Sequence, residues 1–206
     1  DTYTGETIAW NIGLGLMPSG TGTIKNLGIV NSYVKAMNAS AAAFIGTTNN
    51  SSTKFGISNS FVGEDVYIEG TVATGFVGGG DGRYMTGIDN CYSLATLKAH
   101  GNSQGTFYGG ITGQVWSGES VPVNNCYTVG RFFGQGPMKY SDCYTTDSGK
   151  TATGLKVLTS DEMKGANSVT MLSGLYEAFT VTDGYPVLKS FAGRSQETWS
   201  GFRGSA

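Results

Sequence analysis

The sequence predicts an all-β chain: a parallel β-solenoid (β-helix) of about four to five irregular coils with a small C-terminal cap containing short helical segments. Two repeated phrases and the composition carry that expectation. The first phrase is an apolar residue, a polar one, Asn or Asp, Ser or Cys, then an aromatic. It reads Ile29-Val30-Asn31-Ser32-Tyr33, Ile57-Ser58-Asn59-Ser60-Phe61, Ile88-Asp89-Asn90-Cys91-Tyr92, Val123-Asn124-Asn125-Cys126-Tyr127 and Tyr140-Ser141-Asp142-Cys143-Tyr144. The second phrase ends in Gly: Ala43-Phe44-Ile45-Gly46, Gly75-Phe76-Val77-Gly78, Gly110-Ile111-Thr112-Gly113 and the degenerate Arg131-Phe132-Phe133-Gly134. Glycine makes up 33 of 206 residues, which suits a fold that turns every few residues.

The intervals between successive Asn or Asp anchors are 28, 31, 35 and 17 residues, so insertions vary while anchors persist. Between anchors the chain is rich in Gly, Ser, Thr and Asn, and it lacks the long amphipathic runs that helical repeats need. Ile88 and Cys91 are three apart and would point to opposite faces of an unbroken strand. Asn tolerates a tight corner, so a corner is placed there, with the apolar residue and the Ser or Cys both turned inward. Stacked coils then pile Asn31, Asn59, Asn90, Asn125 and Asp142 into one row. Cys91, Cys126 and Cys143 form a second row, continued by Ser32 and Ser60. The aromatics Tyr33, Phe61, Tyr92, Tyr127 and Tyr144 are expected to form a third, a continuous structural stack.

In chain order, residues 1–154 are assigned to the repeats, 155–191 to the cap and 192–206 to a tail or linker. Trp10 to Leu16 reads as the second half of a coil, leaving an open N-terminal edge. Thr159 and Glu162 match a capping box that starts a short helix, with Met163 laid over the last coil. Met171, Leu172, Leu175, Tyr176 and Phe179 suggest a second short helix, and Tyr185 to Phe191 a final strand. Trp199 and Phe202 in the tail, with Trp10 at the open edge, are candidate assembly contacts, because an unpaired edge invites another strand; the competing reading of that edge is excision from a longer protein.

Net charge is −2 and charged residues are 14%, so no field that would recruit nucleic acid is present. The longest apolar stretch, Ala41 to Ile45, is too short to span a membrane. No residue group points to catalysis, a cofactor or a metal. His100, the lone histidine, is expected to be solvated in a loop. Ser51-Ser52-Thr53-Lys54 lacks companion motifs. Glu64-Asp65 reads as surface, and Gly78-Gly79-Gly80-Asp81-Gly82 as a turn without the ligands of a phosphate or calcium loop. Tyr3, Trp10, Tyr84, Tyr108, Trp116, Tyr127, Phe132, Phe133 and Tyr140 are expected to supply aromatic surface for carbohydrate or a partner.

The Gly-Phe-Val-Gly and Gly-Ile-Thr-Gly phrases, with Asn26 to Tyr33, resemble the Gly-Leu-any-Gly (GLUG) repeats of large bacterial surface proteins. Leu158-Thr159-Ser160-Asp161-Glu162-Met163-Lys164 and Asp183 to Leu188 are similar to the segment that closes such arrays. The resemblance covers residues 8 to 191, with Phe or Ile replacing Leu in the core phrase. It implies an extracellular, repeat-built cell-surface protein: an adhesin, a stalk or a non-catalytic part of a surface protease. The absence of catalytic motifs adds the expectation of a structural or adhesive protein that is not an enzyme, and the open edge with the aromatic tail that of self-association, or binding to other surface proteins or glycans, with head-to-tail assembly into fibres. The alternative is a non-catalytic substrate- or carbohydrate-binding module of a larger surface hydrolase or protease.

Overall fold

The computed structural model describes residues 13–19, 22–48, 54–101, 106–117, 121–136 and 138–193. Its strands fall into rounds. The first holds β1 (Gly13–Leu14), β2 (Met17–Ser19), β3 (Gly22–Lys25) and β4 (Gly28–Ile29). The second holds β5 (Tyr33–Ala42), β6 (Ile45–Thr47) and β7 (Phe55–Val62), and the third β8 (Tyr67–Thr74), β9 (Val77–Asp81) and β10 (Met85–Ser93). The fourth holds β11 (Thr96–Ala99), β12 (Phe107–Gly109), β13 (Thr112–Trp116), β14 (Val121–Asn124) and β15 (Tyr127–Thr128). Each round visits the same three sheets in the same order. Sheet A takes β1, β5, β8, β11 and β12; sheet B takes β2, β6, β9 and β13; sheet C takes the rest. The protein is therefore all-β with parallel sheets, each strand bonded to strands one round away.

A left-handed backbone at one residue explains how every round turns within sheet C. Asn26, Asn59, Asn90, Asn125 and Asp142 have φ of 55, 47, 51, 52 and 49°, a region Asn and Asp enter at lower cost than other side chains. The turn reverses the in–out alternation, so Ile88 and Cys91 are both fully buried although three apart. The row starts at Asn26, and this corrects the placement of Asn31. β3 pairs with β7 as Ile24↔Ile57 and Lys25↔Ser58, and β4 as Gly28↔Phe61, so Asn31 lies five residues out of phase. It also has positive φ, 49°, but serves the next corner. Backbone pairing sets this phase and leaves Gly28 in the aromatic slot, where the Phe61 ring leans over it: a Cβ there would fall 2.2 Å from Phe61 Cε1.

The Ser or Cys after each corner donates to the carbonyl two residues back: Ser60 to Ser58 at 2.8 Å, Cys91 to Asp89 at 3.2 Å, Cys126 to Asn124 at 3.0 Å and Cys143 to Ser141 at 3.4 Å. The first round has Leu27 there, not Ser32, and its N–H donates to Ser60 Oγ at 3.3 Å. All three thiols are free and buried. Burial, then the flanking Cys143 and Cys91, push the Cys126 thiol well above its ordinary range.

In the second phrase the large residue fills the interior and the glycine allows close stacking. Phe44, Phe76 and Ile111 are fully buried, and Phe44 stacks on Phe76 with centroids 4.7 Å apart. A Cβ on Gly78, Gly113 or Gly134 would lie 2.4, 2.3 or 2.2 Å from the carbonyl oxygen of the glycine one round earlier. Gly78 to Asp81 is thus a buried strand, β9, rather than the expected turn. Glu64 and Asp65 do form a turn and are exposed.

The short 17-residue interval marks the loss of a sheet A strand. After β15 the chain goes straight to β16 (Phe133–Gln135) in sheet B, then to β17 (Met138–Ser141), β18 (Cys143–Thr145) and β19 (Leu155–Val157) in sheet C. β16 crosses above Gly109, whose Cβ would lie 2.5 Å from Phe133 Cα. Parallel pairing continues to Val157, three residues into the expected cap.

The C-terminal segment runs along the side of sheet C instead of closing the end. Met163, Leu172, Leu175, Phe179 and Leu188 pack with Tyr92, Tyr127 and Tyr144 in a cluster separate from the interior. Phe191 meets Phe61 edge-on at 5.0 Å, and Tyr127 Oη donates to the Pro186 carbonyl. Thr159 and Glu162 make the reciprocal capping bonds, at 2.7 and 3.3 Å, yet the backbone completes a single turn. The helix α1 spans Gly165–Met171, and the expected last strand is two residues, β21 (Val187–Leu188), antiparallel to β20 (Phe179–Thr180).

Candidate functional site

The aromatic row needs that side cover because the aromatic follows an inward Ser or Cys and so points outward. Phe61, Tyr92 and Tyr127 stack at 5.1 and 5.0 Å, with ring planes nearly parallel at 8 and 2°, and Tyr127 pairs in register with Tyr144. Burial pushes the Tyr92 and Tyr127 phenols up. Tyr33, expected in this row, instead stacks on Tyr67 in sheet A at 5.4 Å. The difference follows from the phase of the first round. Phe132, Phe133 and Tyr140 are buried in the interior cluster, not displayed as a platform. Tyr108 lies under the Arg131 guanidinium at 4.3 Å.

A cluster of charged side chains lies on the outer face of sheet A. Register aligns Lys35 of β5, Glu69 of β8 and Lys98 of β11. The Glu69 side chain is 7% exposed, and its Oε1 is 3.3 Å from Lys98 Nζ and 3.6 Å from Lys35 Nζ. His100 Nε2 lies 2.8 Å from the same oxygen, and the residue is positioned by its backbone N–H, which donates to the Gly70 carbonyl at 2.8 Å. Tyr33 Oη donates to Oε2 at 3.2 Å. Burial alone would raise the Glu69 pKa, but the His100 and Lys98 hydrogen bonds and the charges of Lys35 and Lys98 overcome it and hold it at about 2. The bond to Glu69 raises Lys98 in turn. His100 is therefore engaged with a carboxylate, not merely solvated.

A shallow groove of about 270 Å³ crosses sheet C. Thr23, Gly56, Thr86, Gly87, Asp89 and Asn124 are among the residues that line it. Asn90 and Asn125 amides donate to Asp89 at 3.2 Å each, and burial still pushes the Asp89 carboxyl up. Both constellations depend on register between rounds; the only local trace of the first is Lys-any-His at 98–100 beside a strand.

Of the residues singled out from sequence, Asn59, Asn90, Asn125 and Asp142 share one row, and Cys91, Cys126 and Cys143 the adjacent one. Trp10, Trp199, Phe202 and Ser51 to Thr53 lie outside the described residues. Among the described residues, no group of three or more His, Cys, Asp or Glu is placed to hold a metal, and no helix is long and apolar enough to cross a membrane. No family model, curated protein or solved structure matches this chain.

Proposed function

We propose that the chain is a parallel β-solenoid serving as a structural or adhesive body of a bacterial cell surface, extracellular and without catalysis of its own. The observation that carries this reading is the use of the repeated side chains. Asn or Asp makes the corner, Ser or Cys bonds the corner carbonyl, Phe or Ile fills the interior, and Gly admits the neighbouring round. Each repeated slot serves stacking, as expected where the selected property is an extended, stable surface. The resemblance to GLUG-type repeats and the low share of charged residues support the same reading.

Within it, assembly proceeds head-to-tail. Among the described residues, the strands of the first round, β1 to β4, bond to the second round on one side only. The aromatic tail carrying Trp199 and Phe202 is the proposed occupant of that edge in a neighbouring copy, and a contact of this kind propagates unless its rotation closes a ring. Light scattering over a concentration series is expected to show mass growth for residues 1–206 and a monomer after deletion of 194–206. Monomers in both cases would remove the fibre from the proposal. The rival reading, a non-catalytic binding module of a larger surface hydrolase or protease, draws its support from the exposed Tyr33–Lys98 flank.

A further inference from the structure

We infer that the outer face of sheet A around Glu69 binds an acidic glycan, a linear saccharide bearing carboxylates. The inference goes beyond the stacking role and concerns a face that stacking leaves open. Three observations converge on it.

The first is aromatic exposure. The Phe61–Tyr92–Tyr127 row is covered by the C-terminal segment, whereas Tyr33 is 62% exposed, the most exposed large hydrophobic among the described residues. Its ring is held in place by Tyr67 on one side and by its hydroxyl bond to Glu69. A preset aromatic face offers apolar contact to sugar C–H groups at low entropic cost.

The second is charge. Two ammonium groups and an imidazole converge on one carboxylate oxygen. With Glu69 ionised down to about pH 2, Lys35 and Lys98 leave one positive charge in excess. This cationic spot sits on a chain of net charge −2. The Lys35, Lys98 and His100 side chains remain 39, 55 and 35% exposed, so the cationic spot is reachable from solvent.

The third is spacing. Lys35 and Lys98 come from the strands on either side of Glu69 and both reach its Oε1, at 3.6 and 3.3 Å, so they form one cationic spot. Tyr33 lies two residues from Lys35 on the same strand, so a saccharide laid along that strand would rest a sugar ring on Tyr33 and bring a carboxylate to the ammonium pair. Glu69 then acts as a positioning residue: it fixes the cations without contacting the glycan.

Isothermal titration of the full chain with oligogalacturonate, a neutral maltooligosaccharide and a sulfated heparin oligosaccharide tests this. Binding is expected for oligogalacturonate and not for the neutral sugar, and it should weaken as salt rises. Tyr33→Ala and Lys98→Ala should each weaken it about tenfold or more, with unchanged circular dichroism as the control for folding. Glu69→Gln should weaken binding while steepening its salt dependence, because it frees the ammonium groups without removing them. Lack of oligogalacturonate binding, equal binding of the neutral sugar, a preference for the sulfated one, or full affinity in both alanine variants would overturn the assignment. Monomeric or polymeric behaviour in light scattering bears on none of these outcomes.

Discussion

Glycine is required in this chain for two separable reasons, and their costs differ. At Gly113 a Cβ would meet Val72 Cγ1 at 2.2 Å and the Gly78 carbonyl oxygen at 2.3 Å. Backbone on that side cannot yield without parting two rounds. At Gly130 the space is empty, and only the φ of +88° penalises a side chain. Gly113→Ala should therefore cost roughly 3 kcal/mol, at the upper end of overpacking, and Gly130→Ala about 1 kcal/mol. Denaturant titration of the two variants measures the difference, and equal losses would mean that the neighbouring round yields to a Cβ at Gly113. The Ser or Cys row follows the same logic: either residue donates to the carbonyl two back, so Ser60 and Cys91 are interchangeable parts of one bond.

The Glu69 row ties three strands, β5, β8 and β11, across two strand interfaces. Its contribution depends on pH in a definite direction. The Glu69 pKa falls from an ordinary 4.5 to about 2, so the native state favours the ionised carboxylate. The stabilisation is fully present above about pH 4.5 and is lost as pH falls towards 2. Lys98, raised by the bond to Glu69, contributes below its ordinary range and loses that contribution as pH rises through the strongly alkaline range. The difference in urea midpoint between the native chain and Glu69→Gln should be constant near neutrality and shrink between pH 4.5 and 2. A constant difference throughout would show that packing alone accounts for the effect.

The C-terminal segment behaves as a buttress along the stack and not as a plug at its end. Phe179, fully buried, touches Tyr92 and Tyr127 with centroids 6.0 and 5.8 Å away, so one side chain secures two rounds at once. Phe179→Ala should cost about 3 to 5 kcal/mol, as for other buried phenylalanines. Far-ultraviolet circular dichroism, which follows the strands, and near-ultraviolet circular dichroism, which follows the tyrosines, should change together in native unfolding. Separate transitions would mean that the segment comes away from an intact stack. At the tapering end, Tyr140 packs against Phe133 at 5.2 Å, and Lys150 bonds the Gly134 carbonyl, where sheet A contributes no strand.

Much of the architecture was legible in local chemistry. An Asn or Asp that accepts left-handed φ, a donor after it, an inward Phe or Ile and a Gly that admits a neighbouring carbonyl each act within a few residues of chain. Their repetition was enough to point to parallel strands with inward rows. The rest depends on atoms some 30 residues apart in sequence, as in the pairings Ile24↔Ile57 and Lys35↔Glu69. Asn31 matched the phrase better than Asn26, yet strand pairing set the phase and put Gly28 where the aromatic was expected. Met163 carried an apolar side chain that needed cover, but nothing local distinguished the end of the stack from its flank. Glu69, Lys98 and His100 had no motif to announce them, because their shared site exists only once β5, β8 and β11 lie side by side. Short-range sterics specify which conformation each residue takes; the closeness of one round to the next specifies which residues meet.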